Sequence, residues 1–227
     1  MPASRSVAAV CGVLALAVLT ACQAGCAQSV LLGYLIGGPP SIEPDFDAQT
    51  GLSFTDEGIV VAVVCYAPNE LKWDFEKVDQ EVANAVAQRL FQAQVKVIDP
   101  DYIRAWVEEH PDWERPEEIG AAFEVDYVVD IEINSFSLYE ENSSTLYRGR
   151  TDAQVNVVQM TDPEAGEADG ERIYSKQVDL IYPTRVPRST QEESYVQFKR
   201  DYMSRLSETI GWIFTDRFHG DMIGWAT

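Results

Sequence analysis

Residues 59–66, Ile-Val-Val-Ala-Val-Val-Cys-Tyr, form an unbroken apolar run between Gly58 and Pro68. A strand with one wet face alternates apolar and polar residues. A short run without alternation, rich in β-branched residues and bounded by turn formers, reads as a strand buried on both faces. That single feature points to a sheet with helices layered against it.

The segments that follow agree. From about Asp74, residues Val78, Val82, Val86 and Leu90 recur every four positions, with Phe75 a turn earlier, and Asp74 is placed to cap the helix. Val95 to Ile98 reads as a short second strand. Asp99-Pro100 starts a helix, since Asp caps and Pro fills the first turn, where no N–H is needed. This helix carries Ile103, Trp106 and Val107 and stops before Pro111; a short third helix opens near Pro116. Val125 to Tyr139 is a strand in which Val129, Ile131 and Ile133 alternate with Asp130, Glu132 and Asn134. The apolar frame then slips to Phe136 and Leu138, which predicts a β-bulge near Asn134 or Ser135. Tyr147 to Met160 and Ile173 to Tyr182 complete an antiparallel meander, which Pro183 and Pro187 end. Tyr195, Phe198, Tyr202, Leu206, Ile210 and Ile213 then mark a long amphipathic helix over the sheet, which Phe218 would extend. The expected fold is mixed α/β (α+β) with order β-α-β-α-(α)-β-β-β-α. Its two βα connections require parallel neighbours, and its hairpins add antiparallel strands.

This order, with Phe123-Glu124-Val125-Asp126-Tyr127-Val128-Val129 entering a strand and a hairpin turn at Asp162-Pro163-Glu164-Ala165-Gly166-Glu167, resembles the TolB amino-terminal and curli-secretion (CsgG-like) superfamily. The resemblance covers about residues 58–219. It implies the superfamily's α/β fold and its common use, protein–protein contact and assembly at the cell envelope. It carries over no catalytic residue. The chain departs from the pattern at Asp130, where many members have Gly, and in the length of the segment before Gly58.

The amino terminus supplies a second expectation. Residues 7–19, VAAVCGVLALAVL, are uncharged and follow Arg5, the layout of a secretory signal whose apolar region is short for a bilayer span. Leu19-Thr20-Ala21-Cys22 resembles the bacterial lipobox, which implies a signal peptide at 1–21 and a lipid on Cys22. An uncleaved anchor helix from about Val7 to Ala21, and an ordinary signal cut after Ala21, are the other readings of this segment. Ala24-Gly25-Cys26 is a weaker second site, since Gln23 stands at its apolar position. Several acyl chains would anchor the chain stably, because each buried methylene contributes about 0.8 kcal/mol. In the lipoprotein resemblance, Gln23 after the cysteine favours an outer membrane. Residues 30–36, VLLGYLI, are too few to cross a bilayer, and suit a membrane surface, a partner or the domain equally. Residues 37–58, rich in Pro, Gly and Asp, read as linker. The expected organisation is therefore a signal at 1–21, anchor and linker at 22–57, the domain at 58–219 and a tail at 220–227.

Charge narrows the partners. The net charge is -20, and all 37 carboxylates lie after residue 42. Such a chain repels phosphate backbones, so nucleic acid is excluded as an expected partner. Of the four cysteines, Cys65 stands alone inside a strand, and a bridge to Cys26 is a minor alternative to a buried free thiol. His110 and His219 have no partner at metal-ligand spacing, and no nucleophile elbow, P-loop or dinucleotide fingerprint occurs. The acidic stretches 108–118 and 162–171 lack the alternation and glycine turn of a calcium loop, and read as solvated loops. Asp130 and Glu132 point the same way from one strand; they read as an exposed polar face rather than an acid–base pair. The five tryptophans, Trp73, Trp106, Trp113, Trp212 and Trp225, are core or interface candidates.

No cofactor, metal or catalytic site is expected. The expected role is that of a non-catalytic, lipid-anchored, periplasm-facing docking or assembly component of secretion, export or cell-wall machinery, meeting an envelope protein or further copies of itself. The alternative is a periplasmic lipoprotein that binds a small ligand or cation.

Overall fold

Val60–Tyr66 (β1) is the inner strand that its composition demands. The computed structural model describes residues 41–162 and 168–218, and within it Val61, Ala62 and Val63 are at most 1% exposed. β1 runs parallel to both neighbours. On one side lies the short β2 (Lys96–Val97); on the other lies β3 (Tyr127–Tyr139), in register from Val61↔Tyr127 to Tyr66↔Glu132. β4 (Leu146–Met160) and β5 (Gly170–Tyr182) continue antiparallel, giving the order β2-β1-β3-β4-β5, with the two-residue β6 (Arg188–Ser189) also on β4. The sheet is mixed, and the expected bulge falls between Ile133 and Ser135.

Asp126 shows why the strand entry has its sequence. The Val60 N–H donates to its Oδ2 at 2.7 Å, while its own N–H donates to the Val60 carbonyl at 3.0 Å. One residue thus satisfies both backbone groups where β1 begins, and Tyr127 turns into the core at 4% exposure.

The first sheet face carries the larger core. It is covered by α3 (Val78–Gln92), which buries Val78, Val82, Val86 and Leu90, and by α6 (Tyr195–Gly211), which buries Phe198, Tyr202, Leu206 and Ile210. Tyr202 lies so close to β4 that a Cβ at Gly149 would sit 2.2 Å from its ring, so only glycine fits there. The second face carries a smaller cluster, Ala62, Val64, Val128, Val158 and Met160, under α4 (Pro100–Glu109) and α5 (Pro116–Phe123). Asp99 caps α4 as expected, accepting from the Asp101 N–H at 2.9 Å.

Three expectations are corrected. The stretch read as linker folds in its second part: Asp45–Thr50 is a helix, here α1, and Phe46 and Phe54 are 0% and 1% exposed. Phe46 meets Phe54 at 4.7 Å and Tyr174 at 5.5 Å, and Phe54 stacks on Phe214 at 4.8 Å. The Tyr174 hydroxyl donates to Asp45 at 2.5 Å, and the Phe46 N–H donates to the Ile213 carbonyl. The compact unit therefore begins at Ile42, not at Gly58. Second, the helix expected from Asp74 is two: α2 (Asn69–Asp74) ends there, and α3 starts at Val78 behind Lys77. Phe75 lies in the break and packs edge-on against Phe136 at 4.8 Å, which satisfies its place on the apolar face without helix. Third, the last helix stops at Gly211. Ile213 and Phe214 enter the core from the turn after it, and Phe218 does not extend it.

Candidate functional site

Polar side chains converge at several places among the described residues, and two of these bear on function. The first follows from strand alternation on the second sheet face. The helices α4 and α5 cover only its Val128–Val158 half. Beyond them the register sets Asp130 against Asn156 and Ser175, then Glu132 against Gln154 and Gln177, then Asp152 against Asp179, with Asn134 at the bulge. The amides knit this surface together. Asn156 donates through Nδ2 to Glu132 at 3.2 Å and accepts at Oδ1 from the Ser175 hydroxyl at 2.7 Å; Gln154 donates to Ser175 at 2.9 Å. Asn134 and Gln177 both donate to Asp152, at 2.8 and 3.1 Å. Four of these nine side chains are carboxylates and none is basic. Burial pushes the Asp130 carboxyl up to about 6, the Glu132 charge adds to that, and the Asn156 hydrogen bond opposes it.

Farther along the same face, Arg148 and Arg150 share one carboxylate, Glu140, at 2.9 and 2.6 Å. The Arg150 hydrogen bond chiefly holds Glu140 below the ordinary carboxylate range. The face thus passes from apolar, through acidic and amide-rich, to arginine-bearing.

The second place is a cleft of about 280 Å³ at the carboxyl end of β1, between α3 and α4. Lys72 and Asp79 pair across it at 2.5 Å, and Arg104 at its edge pairs with Asp101 at 3.2 Å and Glu108 at 3.8 Å. Ala83, Ile103, Val107 and Trp113 supply apolar wall. Cys65 is a free thiol here, and desolvation pushes its pKa well up, so it is held as the thiol and lacks thiolate character.

The remaining sequence candidates disperse. Leu19, Thr20, Ala21, Cys22 and Cys26, the apolar segment 30–36, the turn 163–167, His219 and Trp225 lie outside the described residues. His110 ends α4, with Nδ1 2.8 Å from the Trp106 carbonyl and its ring stacked on Trp106 at 4.3 Å. In the acidic stretch, Glu118 acts locally, since its Oε1 accepts from the N–H groups of Glu114 and Arg115 at the start of α5. Among the described residues, no group of three or more His, Cys, Asp or Glu side chains is placed to hold a metal ion. Trp212 is buried at 7%, Trp106 and Trp113 are half-buried, and Trp73 is 83% exposed, so it is not a core residue. No helix of the described residues is long and apolar enough to cross a membrane.

The polar face had a linear signal that a search for motifs passes over. Asp130-x-Glu132, Asp152-x-Gln154-x-Asn156 and Ser175-x-Gln177-x-Asp179 each alternate polar residues along a strand. The cleft had none, because single residues of several successive elements between Val63 and Trp113 build it, at no motif spacing.

No protein family matches this chain, and no curated protein matches it. Solved structures give distant likenesses. The PelC dodecamer from Paraburkholderia phytofirmans is 9% identical with a TM-score of 0.42, over 78% of this chain and 97% of that one. Lipoprotein GNA1162 from Neisseria meningitidis is 12% identical with a TM-score of 0.41, over 66% of this chain and 96% of its own. A hypothetical protein from Chlamydia trachomatis is 16% identical with a TM-score of 0.39, over 69% and 91%. At these scores and identities the likenesses assign neither a family nor a role.

Proposed function

We propose that this chain is a non-catalytic lipoprotein of a bacterial cell envelope, anchored by lipid on Cys22, whose TolB amino-terminal/CsgG-like domain serves as a docking or assembly component. The observation that carries the docking reading is the uncovered polar half of the second sheet face. An antiparallel sheet commonly leaves one polar face to water, so what favours docking here is the order within that face. Here a side-chain hydrogen-bond network spanning three neighbouring strands holds the carboxylates of two of them, Glu132 and Asp152, in fixed geometry. Ordered side chains lose less entropy on meeting a partner, which favours recognition. The acidity selects a basic or amide-rich protein surface and repels anionic lipid headgroups.

Affinity capture of the detergent-extracted full chain, with crosslinking and mass spectrometry, tests this. The expected result is one stoichiometric envelope protein, or further copies of this chain, with crosslinks flanking Asp152 and Asp179. A monomer without partners, or an Asp152→Lys/Asp179→Lys variant that recovers the same partner in the same yield, would overturn it. The anchor has its own readout: Cys22→Ser should release the chain from the membrane fraction and end incorporation of labelled palmitate.

A further inference from the structure

We infer that the cleft at the carboxyl end of β1 is a binding site for a small zwitterion with an apolar side chain, of the size and chemistry of a free α-amino acid. Its position comes first. The helix after β1, α3, packs on the first sheet face, whereas the helix after β2, α4, packs on the second. The two connections part over adjacent parallel strands. In open α/β sheets the crevice left at such a parting, outside the carboxyl ends of the strands, is where ligands sit. The observed cleft lies there, lined at once by the end of β1, the first turns of α3 and the length of α4.

Size and charge then set the ligand class. About 280 Å³ is just below the usual range of small-molecule pockets, which run from roughly 300 Å³ upward, and this limits the occupant to a compact metabolite. Both signs of charge line the cleft. Asp79, whose side chain is 14% exposed, pairs with Lys72 at 33%, while Arg104 stands opposite on α4. These charges are paired with one another, so a ligand with one charge would take one member of the Lys72–Asp79 pair and leave the other unmatched in a partly desolvated site. A molecule carrying both an ammonium and a carboxylate leaves none: its ammonium meets Asp79, and its carboxylate meets Lys72 or Arg104. Ile103, Val107 and Trp113 remain for an apolar side chain.

Calorimetric titration of the detergent-solubilised full chain tests this, with L-leucine and L-phenylalanine as probes. N-acetyl-leucine and leucine amide, each lacking one charge, are the controls. Binding is expected at sub-millimolar concentration, weakened about tenfold or more by loss of either ligand charge. Asp79→Asn should weaken it to the same degree. Because that change also frees Lys72, a second variant, Val107→Trp, fills the cleft while leaving every charge in place, and it should abolish the heat of binding with the unfolding temperature kept. No binding of either probe at about 10 mM, or unchanged binding in folded Val107→Trp, would overturn the inference. Asp152→Lys/Asp179→Lys should leave the affinity unchanged, which separates this site from docking on the sheet face.

Discussion

Asp130 sits where the covered half of the second sheet face gives way to the polar half. Burial, reinforced by the neighbouring Glu132 charge, pushes its carboxyl from 3.8 up to about 6. A raised carboxylate pKa means that, between those two values, the folded chain holds a proton that the unfolded chain has released. Stability therefore falls as pH rises through that window, and the cost is complete above pH 6. The full difference is at most about 3 kcal/mol. Asp130→Asn keeps the shape and a hydrogen-bonding partner for Asn156 but carries no charge. It should stabilise the fold at pH 8 by about 1–3 kcal/mol and change little at pH 4. Urea denaturation of both proteins at the two pH values checks this, and equal stabilisation at both would show that the buried charge is not the cause. The sequence announces the alternation that puts Asp130 and Glu132 on one face. It does not announce that Asp130 is half-buried or that Glu117 of α5 adds its charge, since both depend on how the helices dock on the sheet.

At the scale of elements, legibility follows the length of the periodic signal. The inner strand β1, the meander and α6 each repeat their pattern over many residues; the strands stand where the pattern sets them, as do the bulge at Asn134 and α6 as far as Gly211. The segment 42–57 hides its structure because α1 has six residues, too few to show a helical period, and sits among Pro, Gly and Asp. Its one clue is a pair of phenylalanines, Phe46 and Phe54, in an otherwise polar stretch. The break before α3 is hidden for a related reason: Phe75 satisfies the apolar period from a turn. These differences have energetic consequences. Phe46→Ala should destabilise the domain by about 3–5 kcal/mol, as expected for emptying a ring cluster that no neighbour can refill. Trp73→Ala, at a position 83% exposed, should cost under about 0.5 kcal/mol. Equilibrium denaturation of both variants reads the contrast directly, and a small effect for Phe46→Ala would return the segment to the status of linker.

For the whole molecule, moving the start of the fold from Gly58 to Ile42 changes what a lipid on Cys22 could do. Only about twenty residues then separate that lipid from the domain, a reach of at most roughly 70 Å fully extended. Part of that span is the apolar run at 30–36, which further limits free tether. Under the proposed anchor the domain would be leashed near the membrane rather than set to roam from it, and its acidic face would meet partners in the same layer of the envelope. The boundary itself is open to test. A chain shortened to begin at Ile42 keeps α1, Phe46 and Phe54, and should unfold cooperatively within a few degrees of the longer protein. A chain beginning at Gly58 loses both rings and the Asp45–Tyr174 hydrogen bond, exposing Tyr127, Tyr174 and Phe214. Since about 2–4 °C is lost per kcal/mol in a domain of this size, removing two buried phenylalanines at about 3–5 kcal/mol each should lower the transition by well over 10 °C or abolish it. Calorimetric scans of the two shortened chains decide the matter. Equal unfolding temperatures would place the boundary back at Gly58 and lengthen the leash accordingly.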